Sequence, residues 1–318
     1  ASTVSLGGKT LIFGTGSSSN TTLAGTIIGT GGSLQKVGTG TVTISNANTF
    51  TGGVALNAGG ILITNNTALG SGALLMAAGT TLSVGALVNA SNLITLSGAA
   101  TIDASSGGPG TLSGIISGPS GSLAKTGPDI LNLSGANIYA NGTTIISGTL
   151  GLTETGSLLS TGFVTVNAGG FDISGLTNGG TTVGALTTLL GTQVTLGANS
   201  PNFWNSCPTT IAGTITGLGG SIVKQGGGTV TLTASNTFTG GTTINAGTLA
   251  LSGAGSLYSL GSVLLNVGTF DISGLSGSGT TIADLTTLSG TTVGLGAKVL
   301  AFGTINNTTL AKMGTGTV

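Results

Sequence analysis

The chain carries very little charge. Only 4% of its 318 residues are charged, and it contains neither histidine nor arginine. A Ser-His-Asp catalytic triad therefore cannot form. The six lysines are spread along the chain, whereas a nucleic-acid interface needs several cations on one face, so we expect no nucleic-acid partner.

Cysteine and aromatic residues are also scarce. Cys207 is the only cysteine, so no internal disulfide can form, and we expect no zinc site or other cofactor. Aromatic residues make up 3% of the chain, which leaves Leu, Ile, Val, Ala and Thr to fill a core. No run of 18 apolar residues is present, and no basic leader precedes an apolar segment. We therefore expect neither a membrane-spanning helix nor a signal peptide in this sequence.

Glycine, in contrast, occurs 63 times, and the sequence repeats itself. A phrase that reads KVGTGTVTISNANTFTGG in its first copy recurs as a weaker copy, then as a close copy, and finally as a short fragment. In chain order, the four versions begin at Lys36, Lys125, Lys224 and Lys312. These spacings of 89, 99 and 88 residues predict one continuous solenoid over residues 1–318, with a partial unit at each end. The long sub-repeats are expected near 31–119, 120–218 and 219–307.

A shorter period of about 20 residues runs inside each sub-repeat. Runs such as TVTIS at Thr41, ILIT at Ile61 and TLSV at Thr81 alternate in the manner of strands and are bounded by Gly, Asn or Ser. Antiparallel hairpins would give no reason for like residues to recur at a fixed distance, whereas in a coil they stack on successive turns. The sequence therefore predicts an all-β fold, a single parallel β-solenoid (β-helix) of about 15 coils of roughly 20 residues.

Two more sets of residues recur with the sub-repeats and are predicted to occupy equivalent structural positions. An aromatic residue recurs at Phe50, Tyr139 and Phe238. An asparagine precedes a glycine corner at Asn57, Asn167 and Asn245. We expect a left-handed bend at each of these corners and hydrogen bonds between stacked asparagines.

The repeated phrase resembles the autotransporter-associated β-strand repeat, which occurs in passenger regions of Gram-negative autotransporters and related surface proteins. The family phrase runs roughly G-S-L-x-K-x-G-x-G-T-L-x-L-S-G-x-N-T-Y-T-G-G-T-x-I-x-x-G-T-L. Residues 32–62 and 220–249 follow it closely, and residues 121–150 depart from it at Pro128-Asp129 and Ala140-Asn141. The resemblance implies a right-handed parallel β-helix, export to the cell surface and a passenger role.

The charged residues that are present offer little chemistry. Asp172 and Asp271 occupy the same repeat position 99 residues apart, which places them several coils from each other. A glycosidase, in contrast, needs two carboxylates within about 10 Å. We therefore expect acidic residues at corners or on outer faces, and no enzyme. For the repeat lysines two interpretations are open: solvated residues that protect sticky strands, or a row that binds an anionic partner.

One stretch, NSPNFWNSCP at residues 199–208, breaks the repeat pattern. It contains Phe203, the only tryptophan Trp204, Cys207 and two of the five prolines. Because proline cannot donate to a sheet, we expect a loop or bulge that leaves the coil. Phe203, Trp204 and Cys207 then form either a contact patch or a loop that packs its own aromatic side chains.

Two functions fit these features. The first is a non-catalytic structural protein, secreted or on the outer surface of a Gram-negative bacterium, that forms a rigid stalk or fibre. Because neither terminus resembles a polar cap, the chain is either cut from a longer rod or stacks end to end with its own copies. The second is a passenger adhesin that binds a receptor on a host or neighbouring cell, with the 199–208 segment as its contact loop. Besides its own copies, cell-surface or matrix components are the expected partners. A polysaccharide-active β-helix enzyme is a remote third.

Overall fold

A computed structural model of the chain describes residues 2–16, 18–204 and 206–303. Within these residues all regular structure is β-strand, and the strand pairings are parallel. Contacts divide the chain into two compact units, Ala1–Leu159 and Ser160–Val318. Each unit is a coil of short strands joined at tight corners.

Three sheets line unit 1. In chain order its strands are β1 (Thr3–Ser5), β2 (Thr10–Phe13), β3 (Thr21–Leu23), β4 (Thr26–Ile28), β5 (Ser33–Lys36), β6 (Thr41–Ile44), β7 (Val54–Leu56), β8 (Gly60–Ile63), β9 (Leu74–Met76), β10 (Thr81–Val84), β11 (Asn89–Ala90), β12 (Ile94–Leu96), β13 (Ala99–Asp103), β14 (Gly110–Leu112), β15 (Ile116–Ser117), β16 (Ser122–Thr126), β17 (Ile130–Leu133), β18 (Thr143–Ile145) and β19 (Thr149–Glu154). The sheet orders are β3-β6-β8-β10-β13-β16-β18, β2-β5-β7-β9-β12-β15 and β11-β14-β17-β19, and β1 pairs with β4. Each turn therefore lays its strands beside those of the turn before.

Unit 2 is built in the same way. Its strands are β20 (Phe163–Val166), β21 (Gly170–Leu176), β22 (Thr182–Val183), β23 (Ala185–Thr188), β24 (Gln193–Thr195), β25 (Asn202–Phe203), β26 (Thr209–Ile211), β27 (Thr214–Thr216), β28 (Ile222–Lys224), β29 (Thr229–Leu232), β30 (Thr242–Ile244), β31 (Thr248–Gly253), β32 (Val263–Leu265), β33 (Thr269–Leu275), β34 (Gly279–Ile282), β35 (Leu285–Thr287), β36 (Thr292–Gly294) and β37 (Val299–Phe302). The sheet orders are β20-β23-β26-β29-β31-β33-β36, β21-β24-β27 and β22-β25-β28-β30-β32-β35, and β34 pairs with β37.

The core is thin and aliphatic because successive residues of a strand point to opposite faces. In β6, Val42 and Ile44 are buried, whereas Thr41 and Thr43 are partly exposed. Val42 lies in register with Ile61 of the next turn, which is also buried. Like residues thus stack along the inside of the coil.

Glycine forms the tightest corners. Gly59 and Gly247 have φ angles of 68° and 66°, in the left-handed region. A Cβ atom at Gly59 would lie 2.7 Å from the carbonyl oxygen of Gly38, and one at Gly247 would lie 2.5 Å from that of Gly226. These corners require glycine both for the backbone conformation and for the close approach of the neighbouring turn.

The predicted all-β parallel solenoid is confirmed. The longest sheet of each unit contains seven strands, one for each turn, which agrees with the predicted total of about 15 coils. The left-handed bends predicted after Asn57, Asn167 and Asn245 are also present, at Gly59, Gly169 and Gly247. A single continuous solenoid with three long sub-repeats stays a prediction.

Candidate functional site

The repeat lysines lie inside the coil. Lys36, Lys125 and Lys224 are at most 1% exposed and occupy inward-facing strand positions. Their interpretation as solvated surface residues is therefore wrong, and these three cannot form a surface row for an anionic partner. Lys312 lies outside the described residues. The alternation of inward and outward residues along a strand could have predicted this burial, because each lysine stands two residues after a buried aliphatic residue of its strand.

Backbone carbonyl oxygens hold each buried ammonium group. The Nζ atom of Lys36 donates to the two residues that follow it, at 2.8 and 2.6 Å, and to Ala58, one turn further on, at 3.2 Å. Lys125 makes the equivalent bonds at 2.8, 2.9 and 3.1 Å, the last to Ser147. Three donors thus meet three acceptors inside a corner, which satisfies the ammonium group.

Burial has the expected electrostatic effect on these lysines. It lowers the pKa of Lys36 and Lys224, and it lowers the pKa of Lys125 to about 8, although Asp103 and Asp129 act in the opposite direction. Because the acceptors are main-chain carbonyls of neighbouring turns, we assign the three lysines a structural role.

The recurring aromatic residues fill the core. Phe50, Tyr139 and Phe238 are all buried. A Cβ atom added at Gly70, one turn after Phe50, would lie 3.1 Å from its ring. The hydroxyl of Tyr139 is hydrogen-bonded to that of Thr143 at 2.6 Å, and burial raises the pKa of Tyr139 above its ordinary value. Packing accounts for these positions.

A buried asparagine in each repeat was missed by the sequence analysis. Asn48, Asn137 and Asn236 stand two residues before the aromatic residues and are at most 3% exposed. The Oδ1 atom of Asn236 accepts from the amide of Ile215, one turn earlier, at 2.9 Å. Its Nδ2 atom donates to the carbonyl of Ser256, one turn later, at 2.9 Å. The spacings of 89 and 99 residues, shared with the lysines, are the signal that could have revealed this position.

The corner asparagines, in contrast, face solvent. Asn57 and Asn167 are exposed and Asn245 is half-buried. The Nδ2 atom of Asn266 donates to the Oδ1 atom of Asn245 at 2.8 Å, one turn away. The predicted bond between stacked asparagines therefore occurs at this corner.

The first part of the irregular 199–208 segment contributes to the core, whereas Trp204 and residues 206–208 lie outside the strands and are exposed. Phe203 belongs to β25, is 1% exposed and lies in register between Val183 and Lys224. The prediction of a loop or bulge is therefore wrong at Phe203, and so is its assignment as a contact residue. Trp204 is 58% exposed and Cys207 is an exposed free thiol, so the described side chains of the segment do not pack together as a folded-back aromatic loop.

Trp204 begins a column of uncharged residues on the outside of unit 2. The column, here named the Trp204 corner, consists of Trp204, Gln225, Asn245 and Asn266. The backbone N–H of each donates to the strand residue of the preceding turn, at 3.0, 3.0, 2.8 and 2.9 Å respectively. Successive members are therefore one strand spacing, about 4.8 Å, apart. Beneath them the Lys224 ammonium binds the carbonyls of Gly226 and Ala246, the latter at 3.2 Å.

Unit 1 offers a matched corner without an aromatic residue. Val37, Asn57 and Ala77 occupy the corresponding column around Lys36, with N–H bonds to the preceding turn of 3.0, 2.9 and 2.9 Å. Gly14 stands where unit 2 has Trp204, because Phe13 pairs with Lys36 as Phe203 pairs with Lys224. The indole and the Gln225 carboxamide thus distinguish the Trp204 corner.

The acidic residues accept hydrogen bonds from backbone amides of their own or the preceding turn. Asp172 and Asp271 each accept from the amide two residues further on, at 2.8 Å. Asp129 accepts from the amides of Gly107 and Gly108, at 2.7 and 3.1 Å. In the part of the chain that the structure describes, no three His, Cys, Asp or Glu residues are grouped to bind a metal ion. The same residues include no helix of the length and hydrophobicity that a membrane span requires.

The family model for the passenger-associated-transport-repeat matches the chain three times, at residues 34–63, 123–152 and 222–251. The chain therefore contains three passenger-associated-transport-repeats. Each passenger repeat contains one buried lysine, one buried asparagine and one buried aromatic residue, so the matched phrase encodes the interior of a corner and its neighbouring turn.

One relative aligns with the chain over a longer stretch than the three repeats. The adhesin BmaC autotransporter of Brucella suis biovar 1 (strain 1330) is 30% identical to the chain over 248 residues. The alignment covers 73% of the chain but only 7% of the relative, so the chain spans a small part of that protein's length. No solved structure matches the chain.

Proposed function

We propose that this chain is a non-catalytic passenger segment of a surface adhesin, exposed on the outside of a Gram-negative cell. Three passenger repeats and the similarity to an autotransporter adhesin support the proposal. In it, the solenoid is a rigid scaffold that holds a contact surface away from the membrane. The observation that carries the proposal is the alignment over 73% of the chain with a protein named as an adhesin.

The chemistry of the described residues supports a non-catalytic role. Asp103 accepts from the hydroxyls of Ser105 and Thr126, at 2.6 and 2.9 Å, and Asp129 accepts from two amides. These carboxylates are thus engaged in holding the coil together. The three repeat lysines are buried, and their ammonium groups donate to backbone carbonyls, so Lys36, Lys125 and Lys224 cannot reach a substrate.

Within this proposal, Trp204 is the contact residue. It is the single tryptophan of the chain and is 58% exposed, although its neighbour Phe203 is fully buried. Tryptophan side chains are enriched among the residues that dominate binding energies at interfaces.

An attachment assay tests the proposal. Beads coated with the chain are counted on epithelial cells and on bacterial cells, for the wild type, Trp204→Ser and the control Leu190→Ser, whose side chain is 86% exposed. Deleting residues 199–208 is unsuitable because it would remove Phe203 from the core. We expect attachment by the wild type and Leu190→Ser, and a loss of at least tenfold for Trp204→Ser. Failure of wild-type beads to attach to either cell type would contradict the adhesin proposal.

We also propose that copies associate end to end into a stalk or fibre. Successive turns of the coil pair through parallel strands, and a strand of a second copy can pair with a strand edge in the same way. Sedimentation velocity over a hundredfold range of concentration, followed by electron microscopy, tests this. We expect longer particles at higher concentration, and a single species at all concentrations would refute the association.

A further inference from the structure

We propose that the Trp204 corner binds the chain of a neutral polysaccharide. This inference rests on the proposed adhesin function and names the chemical class of its partner. It is carried by the four residues defined above, Trp204, Gln225, Asn245 and Asn266, which stand at one corner on four successive turns.

The indole supplies a flat apolar surface. Because Phe203 points into the core, the next side chain, Trp204, points outward and is 58% exposed. The face of an indole ring carries a partial negative charge, which attracts the C–H groups on one face of a pyranose ring. A sugar stacked on Trp204 would cover apolar surface that is otherwise in contact with water.

The carboxamides supply hydrogen bonds to hydroxyl groups. In the described part of the chain the side chain of Gln225 makes no hydrogen bond, so its oxygen and its NH₂ group are both open to a ligand. Asn266 uses its Nδ2 atom to bond the Oδ1 atom of Asn245. This leaves the Nδ2 atom of Asn245 as a donor and the Oδ1 atom of Asn266 as an acceptor. Sugar hydroxyls, which both donate and accept, match this pattern.

The geometry of the corner suits an extended chain of sugars. Its members follow one another at the strand spacing of about 4.8 Å, which is close to the length of one hexose unit in an extended polysaccharide. The bonds from Lys224 to the carbonyls of Gly226 and Ala246 keep the turns that carry Gln225 and Asn245 in place.

The charge of the corner favours a neutral ligand. None of its four side chains is charged, and the nearest cation along the chain, Lys224, points inward. An anionic polymer needs exposed cations for recognition, and the corner provides none. The polysaccharide is therefore expected to consist of uncharged sugars.

The single tryptophan makes a direct measurement available. The probes are neutral hexasaccharides of glucose, mannose, galactose, xylose and N-acetylglucosamine, titrated into the full chain while Trp204 fluorescence is recorded. Hexamers of galacturonate and of heparin serve as charged comparators. We expect a saturable change in emission with at least one neutral hexasaccharide and a Kd at least tenfold weaker for both anionic ones.

Variants locate the site. For the neutral hexasaccharide that binds, Gln225→Ala and Asn245→Ala should each raise the Kd by about three- to tenfold. The matched control Asn57→Ala, at the corresponding corner of unit 1, should leave it unchanged. Calorimetry replaces fluorescence for Trp204→Ala, which should weaken binding at least tenfold.

Several results would overturn the inference. They are no saturable response to any neutral probe at millimolar concentration, equal affinity for the anionic probes, or equal weakening by Asn57→Ala. If beads still attach in a Trp204-dependent manner while no neutral probe binds, the adhesin proposal stands and the glycan assignment fails. If a neutral probe binds at the corner but beads attach to no cell, the glycan assignment stands and the adhesin proposal fails.

Discussion

The ammonium group of Lys224 is hydrogen-bonded to the carbonyl oxygen of Ala246 at 3.2 Å, although the two residues are 22 positions apart in the chain. The bond joins one turn of the coil to the corner of the next. Lys36 bonds Ala58 and Lys125 bonds Ser147 in the same manner, at 3.2 and 3.1 Å. An aliphatic side chain could not make this bond, which explains why a nearly uncharged protein keeps a lysine in its core at these points.

Replacement of Lys36 by methionine should destabilise unit 1. The substitution keeps the aliphatic stem but leaves carbonyl oxygens, including that of Ala58, without their donor. We expect the free energy of unfolding to fall by about 2–4 kcal/mol, measured by denaturation followed with circular dichroism. The control Lys9→Met, at an exposed position, should change it by less than about 0.5 kcal/mol. Equal effects of the two substitutions would show that the hydrogen bonds from Lys36 to the carbonyl oxygens do not contribute to the stability of the fold.

The low pKa of Lys125 predicts a stability that increases with pH. Its pKa is 10.5 ordinarily and about 8 in the folded chain, so between these values the unfolded chain binds more protons than the folded one. The free energy of unfolding should then rise from about pH 8 to about pH 10.5. Relative to Lys125→Met, the gain should be about 1–3 kcal/mol. Parallel pH profiles of the wild type and this variant would contradict the prediction.

The coil could be predicted from the sequence because apolar and polar side chains alternate within each strand, and similar strands recur about every 20 residues. The interior of the corners could not, because the partners of Lys36, Lys125 and Lys224 are main-chain carbonyls, which have no signature of their own in the sequence. Lysine is almost never fully buried, and a charged residue commonly protects an aggregation-prone strand, so an exposed lysine is the natural expectation. The alternation along each strand predicts burial instead, because each lysine lies on the same face of its strand as the buried residue two positions before it.

Phe203 illustrates a second limit. Pro201 and Pro208 lie on either side of it and indicate an interruption of the sheet. The interruption is short, however, and β25 still pairs in register with Val183 and Lys224. The exposure of Trp204 follows from the same alternation. The residues of the Trp204 corner could not be grouped from the sequence, because they are 20 or more positions apart and meet only through the register of the turns.

The buried asparagines should be as important for stability as the lysines. In Asn236→Ala, the amide of Ile215 and the carbonyl of Ser256 both lose a buried partner. We expect a loss of about 2–4 kcal/mol in the free energy of unfolding, and faster hydrogen exchange at the Ile215 amide. Asn167→Ala, at an exposed corner, is the matched control and should change stability by less than about 0.5 kcal/mol. An unchanged exchange rate at Ile215 would refute the bridging role.

Tyr139 and Thr143 form a buried polar pair that the first repeat replaces by Phe50 and Val54, both also buried. Removing one hydroxyl, in Tyr139→Phe, leaves the other without its 2.6 Å partner and should cost about 1–2 kcal/mol. The double variant Tyr139→Phe/Thr143→Val reproduces the apolar pair of the first repeat. It should recover most of that loss, because no unpaired hydroxyl remains. A double-mutant cycle measured by thermal unfolding gives the coupling energy, and additive effects of the two substitutions would show that the pair is not coupled.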